Sequence, residues 1–230
     1  MQALKTTGAI REFTDAPVED ATIAGVLDTA RFAPSGGNRQ GWNVVVVKDA
    51  TIRRGLRDLY LDGWYEYLAM RAAGLTPWSP LADRGTESGA IVGAADIAAH
   101  APPDGFAERL DQVPVLLALV VDLGALAAVD RDLDRYTFAG AASVYPFAWS
   151  VLLAAREVGL GGVMTTMVIR REPEALTLLG APKGYALAAL IALGYPTRTF
   201  SKLARASVSA FTTVDRCDGP AFAGPGLVVR

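Results

Sequence analysis

The chain holds one histidine and one cysteine, His100 and Cys217, among 230 residues. A lone cysteine closes no internal disulfide, and with a single histidine the chain is short of ligands for a zinc cluster. Any Ser-His-Asp or Cys-His machinery would depend on His100, whose setting reads as a surface or helix-end residue. The acidic residues are scattered without visible pairing, so no metal site is expected. Charge of one sign is also missing: 22 Lys and Arg face 24 Asp and Glu, giving a net charge of -2, and no basic run occurs. That excludes the electrostatic footprint of a nucleic-acid binder or of a protein drawn to anionic membranes. Long apolar runs are absent as well. The longest, 113–121, stops at Asp122, far short of the ~20 residues a membrane helix requires. The opening residues, 1–8, lack the apolar centre of a secretory signal, which points to a cytoplasmic address. No phosphate loop ending in Gly-Lys-Ser/Thr is present, and Gly159-Leu160-Gly161-Gly162 follows a helical pattern and lacks the last glycine of a dinucleotide fingerprint. With side-chain chemistry so thinly supplied, the weight shifts to a bound cofactor.

What is present is an ordinary globular composition, 51 % hydrophobic and 20 % charged, enough to bury a sizeable core. Ile23, Val26, Leu27 and Ala30 repeat at helical spacing behind Glu19 and Asp20, where a helix dipole favours acids, and predict a helix ending near Phe32. The segments 44–47, 115–121 and 186–193 are apolar without alternation, as strands covered on both faces are, so helices must flank the sheet. Further helices are predicted over 51–73 and 86–99, separated by a loop with Gly74, Pro77, Pro80 and Gly85 that is long enough to form a lid. From 139 to 158 the chain is apolar nearly all round before the helix stop at Gly159, which predicts a buried or interface helix in which Pro146 sits in the first turn or makes a kink. No repeat and no linker divides the chain. It reads as one domain, 1–230, whose irregular arm, 196–230, is expected to wrap over a partner subunit.

The most informative stretch is Ala33-Pro34-Ser35-Gly36-Gly37-Asn38-Arg39-Gln40-Gly41-Trp42, where small and polar residues gather between a helix and an apolar strand and could receive a flat polar ligand. Together with Ala9-Ile10-Arg11-Glu12-Phe13, Pro17-Val18, Gly159-Leu160-Gly161-Gly162-Val163-Met164-Thr165-Thr166 and Leu193-Gly194-Tyr195-Pro196, it resembles, in order, the landmarks of the FMN-dependent nitroreductase family. The resemblance spans nearly the whole chain. It implies an α+β sandwich, a mostly antiparallel sheet flanked by helices, assembled as an intertwined homodimer with FMN sites at the interface.

The same resemblance implies a cofactor set. Arg11 and Arg205, with Lys202 nearby, would hold the FMN phosphate and pyrimidine edge, and two guanidiniums suit a dianion because each offers several fixed donors. Pro34, Ser35, Gly36, Asn38 and Gln40 would contact ribityl and ring atoms, often from the other subunit. Met164, Thr165 and Thr166 would lie along the flavin edge, with the Thr166 backbone N–H as donor to N5. Trp64, Tyr65 and Trp78, with Tyr67, are candidates to line the substrate pocket, although packing around a helix explains them equally well. Thr7, Gly8 and Ala9 stand where many members carry a basic pair and a serine, so hydroxyls such as that of Thr7, and backbone amides, would have to serve the phosphate. The implied activity is ping-pong: NADH or NADPH passes hydride to flavin N5, and a nitroaromatic, quinone or activated alkene then takes the same place. Two alternatives remain open, a flavin-dependent oxidase or dehydrogenase of a natural product, and a non-catalytic flavin-binding dimer.

Overall fold

The computed structural model describes residues 2–222; the end of the expected arm, 223–230, lies outside them. In chain order the elements are α1 (Gln2–Thr6), α2 (Asp20–Ala30), β1 (Trp42–Val46), α3 (Ala50–Ala72), α4 (Arg84–Ile91), α5 (Ala94–Ala99), β2 (Val115–Asp122), α6 (Tyr145–Glu157), β3 (Gly161–Thr165), α7 (Glu172–Leu178) and β4 (Tyr185–Gly194). The four strands form one antiparallel sheet in the order β1-β2-β4-β3. This is the α+β sandwich the sequence implied.

Both faces of the sheet are covered, and the strand side chains divide between two cores. Val115, Leu117, Leu119 and Val121 of β2 point into a core with Val26 and Ala30 of α2 and Phe147, Val151 and Ala155 of α6. Leu116, Ala118 and Val120, one residue out of phase, join Leu56 and Tyr60 of α3 and Ala175 of α7. An unbroken apolar strand is therefore the sequence of a sheet buried on both sides. A bulge between Leu119 and Val120 shifts the register against β4, so that Leu119 faces Ala189 and Val120 faces Leu187.

Two helix boundaries differ from the sequence reading. The apolar helix starts at Tyr145, with Pro146 in its first turn where a missing N–H costs nothing, and Ala139–Ser143 is a separate 3-10 turn. It ends as expected: Gly159 adopts φ +83°, and Leu160 N–H returns to the Ala155 carbonyl, closing the C-terminal turn over a buried Leu160. The stretch 86–99 is two short helices, broken at Val92-Gly93. At the sheet edge, Arg53 of α3 donates to the carbonyls of Val47, Asp111 and Val113, tying the end of β1 and the entry to β2 to one side chain. No helix among the described residues is long and apolar enough to cross a membrane.

Candidate functional site

Strand β3 ends at Thr165, and two cavities lie beside that end. The larger, about 670 Å³, is lined by Thr166 and Met167, by Arg170 of the following turn, by Tyr136 and Tyr145, and by Trp78 and Glu87 of the segment after α3. The second, about 520 Å³, is lined by Tyr60, Trp64 and Leu68 of α3, by Phe106, and by Arg11. One face of α3 separates them. Residues 60, 64 and 67 fall at helical spacing on it and form an aromatic ladder: Tyr60 to Trp64 (6.4 Å), Trp64 stacked on Tyr67 (5.5 Å), then Tyr67 to Trp78 (6.2 Å). Arg170 caps the ladder, its guanidinium 5.1 Å from the Trp78 centroid, while pairing with Glu66 at 3.1 Å. Tyr60 also bonds across to the strand: its hydroxyl accepts from the Thr165 hydroxyl at 3.4 Å. Burial pushes the Tyr60 phenol up, and so keeps it neutral.

The sequence-predicted residues fall into separate groups on one protomer. Thr166, just past the strand, faces the larger cavity, and its amide N–H has no acceptor among the described residues. Thr165 and Met164 are half-buried in β3 behind it. Arg11 is exposed, lines the smaller cavity with its guanidinium 6.0 Å from the Phe106 centroid, and makes no ion pair among the described residues. Thr7 is buried, and its hydroxyl donates to the Ala3 carbonyl of α1 at 2.8 Å. Lys202 and Arg205 lie exposed on the arm, where Arg205 donates to the neighbouring Ala204 carbonyl. From Pro196 to Leu203 the arm runs back over the N-terminal segment, with Thr197 N–H donating to the Glu12 carbonyl and Phe200 and Leu203 lying against Gly8.

The loop from Pro34 to Gln40 lines neither cavity. It is tied to the 3-10 turn before α6, where Gly36 N–H donates to the Ser143 hydroxyl at 3.0 Å, and it is closed on itself by Gln40 N–H donating to the Ser35 hydroxyl at 3.0 Å. Gly37, Asn38 and Gln40 all take positive φ (59°, 51° and 50°). Two non-glycine residues in the left-handed region within three positions is a concentration of backbone strain of the kind found at ligand clamps.

Of the aromatic candidates, Trp64 and Trp78 reach cavities, one each. Tyr65 reaches neither; its hydroxyl donates to Glu108 at 3.0 Å, and burial with that carboxylate pushes its pKa up to about 12. Sequence reasoning missed Tyr60, Phe106, Tyr136, Glu87 and Arg170. Tyr60 alone carried a signal, standing one helical turn before Trp64.

Residues 4–195 match the nitroreductase family. The chain belongs to that family. Among nitroreductase relatives, iodotyrosine deiodinase 1 of Rattus norvegicus is 26 % identical over 197 residues, covering 86 % of this chain and 62 % of the relative, so the chain spans less than two thirds of the deiodinase's length. An NADH dehydrogenase of Thermus thermophilus is 26 % identical over 189 residues and 82 % of each chain. A crystal structure of a variant of an FMN- and NADPH-dependent nitroreductase from Sphigopyxis sp. strain HMH superposes with a TM-score of 0.56 at 24 % identity, covering 85 % of this chain and 86 % of that one.

Proposed function

We propose that this chain is an FMN-dependent oxidoreductase that draws electrons from NADH or NADPH and reduces a small oxidised acceptor, a nitroaromatic, quinone or activated alkene, in ping-pong fashion. The observation that carries the proposal is the end of β3. There a backbone N–H with no acceptor among the described residues, that of Thr166, opens onto a cavity walled by aromatic rings. A flat heteroaromatic ring with an acceptor atom on its edge fits both the rings and the unsatisfied amide. Arg11, with no carboxylate partner among the described residues, adds the positive charge that an anionic ring edge or phosphate requires. The relatives support the cofactor and the reductant, one being an NADH dehydrogenase and one an FMN- and NADPH-dependent nitroreductase.

Bound FMN would supply a two-electron carrier between nicotinamide and acceptor. The chain's own residues do the rest. Thr166 orients the ring edge through its amide, the ladder of Tyr60, Trp64, Tyr67 and Trp78 gives planar molecules a surface to stack on, and Arg170 holds that surface by covering Trp78. The strained loop 36–40 lines neither of these two cavities on its own protomer, so we assign it to the site of a second copy, with the chain acting as a homodimer. Exposed Phe32 (75 %), Tyr136 (72 %) and Phe138 (69 %) give that copy an apolar surface to cover.

The test is the spectrum of the purified protein. FMN should be released by acid, and NADH or NADPH should bleach the flavin band under anaerobic conditions. A protein that binds no FMN contradicts the reading; one that binds it yet is not bleached is a flavin-binding module without reductase activity.

A further inference from the structure

The 520 Å³ cavity has charged groups on its wall as well as rings: Arg11 from the N-terminal segment, Asp96 and His100 at the end of α5, and Glu108. Three of the four are engaged. Asp96 and His100 stand 3.6 Å apart, and Glu108 accepts from the Tyr65 hydroxyl at 3.0 Å. Glu12, beside Arg11 in the chain, stands 3.6 Å from Arg198. Arg11 is left with no ion pair among the described residues.

A guanidinium and a carboxylate on the wall of one cavity attract each other, the more so where aromatic rings exclude water. Both charges reach the Tyr60 phenol, whose pKa is raised mainly by burial, while Arg11 draws it down and Glu108 pushes it up. They do not pair with each other because the carboxylate is held at two points. Tyr65, which lines neither large cavity, binds Oε1. Oε2 lies against the backbone of Gly105, in the space that a Cβ would fill. The same loop turns Phe106 toward Arg11, its ring centroid 6.0 Å from the guanidinium. The loop thus shows Arg11 a ring and withholds the negative charge two residues further on.

We infer that Tyr65 and Gly105 form a latch that keeps the Glu108 carboxylate on its own loop and off Arg11, so that the Arg11 guanidinium stays open to an anionic ligand. Tyr65 is then a positioning residue that acts through Glu108 and touches no ligand. That the ligand is the flavin rests on the reading in the preceding section; the latch does not.

Phenylglyoxal labelling of Arg11, followed by peptide mapping after any bound flavin has been dialysed away, tests the latch without a ligand. In Tyr65→Phe the freed carboxylate pairs with Arg11 and holds its proton, so labelling should slow by about threefold or more. Adding Glu108→Gln to that variant should restore the wild-type rate, which no merely structural defect would do. Gly105→Ala, which displaces the carboxylate and leaves α3 untouched, should slow labelling as well, and it carries the test if melting curves show that Tyr65→Phe does not fold. FMN affinity should follow the same order, about tenfold weaker in Tyr65→Phe and recovered in the double variant. Unchanged labelling in Tyr65→Phe and Gly105→Ala, or a slowing that Glu108→Gln does not reverse, would overturn the latch; if FMN still binds, the flavin reading stands. Labelling that changes as expected in a protein that binds no FMN keeps the latch and removes the flavin reading.

Discussion

Two walls of the 670 Å³ cavity are built on opposite principles. The wall carrying Tyr136 hangs from one buried carboxylate, Asp130, which accepts from the Arg135 guanidinium (2.8 Å), the Thr137 hydroxyl (2.7 Å) and the amides of Phe138 (2.9 Å) and Ala139 (3.2 Å). Those donors hold the Asp130 carboxyl well below the usual carboxylate range. The facing wall carries Trp78 and Glu87, and there the polar atoms are left over. Trp78 Nε1 and Glu87 Oε1 are buried without a hydrogen-bond partner among the described residues, and Trp78 holds φ +51°, which a bulky residue takes only under strain. A fully bonded carboxylate fixes a loop to one conformation. Orphaned donors and acceptors leave a segment with something to gain from rearranging, or from a ligand that bonds them. The cavity thus has one fixed side and one adaptable side, and the adaptable side includes the stretch between helices that the sequence marked as a lid.

The contrast can be broken most severely at Asp130. Asp130→Ala strands two amides, a hydroxyl and a guanidinium, so the loop should lose its order and the melting temperature should fall by several degrees; an unchanged melting curve would mean that the loop is held by something else. Acid titration addresses the same carboxylate without mutation. Because its folded pKa is depressed, its contribution is complete above the ordinary carboxylate range and is lost as pH falls through that range toward the depressed value. Exchange protection at Phe138 and Ala139 should therefore persist from neutral pH down to about pH 4 and disappear only below it. At neutral pH those two amides should exchange at least about tenfold more slowly than the amides of 78–87, and equal protection would erase the distinction between the walls. The smallest effect is expected at Glu87. Glu87→Met removes a buried oxygen that bonds nothing and keeps the apolar stem, so stability should rise by about 1 kcal/mol in denaturant melts. A loss of similar size would show that Glu87 has a partner the structure does not reveal.

Much of the fold was legible because hydrophobic period and turn chemistry decided it. The all-apolar runs of β2 and β4 admit only a sheet covered on both faces, and Gly159 ended α6 where a left-handed residue was needed. Of the two places the sequence left open for Pro146, the first turn is the one it takes, and the apolar residues before it disguised a 3-10 turn, since composition does not separate one tight turn from the start of a helix. The site was less legible. Thr166 and Arg11 could be named from motifs, but Tyr60, Phe106, Tyr136 and Glu87 come from four segments, and nothing local in the sequence says that these segments meet.

The aromatic ladder on α3 has a practical consequence. The chain has four tryptophans, and one of them, Trp42, is stacked at 4.7 Å on Phe147 in the core behind the sheet. Trp64 and Trp78 stand at the two cavities with only the Tyr67 ring between them. Light absorbed at one end of this row of rings is emitted next to whatever occupies either cavity, so the protein's intrinsic fluorescence is a built-in gauge of occupancy, and swapping one indole at a time for phenylalanine would tell the two cavities apart.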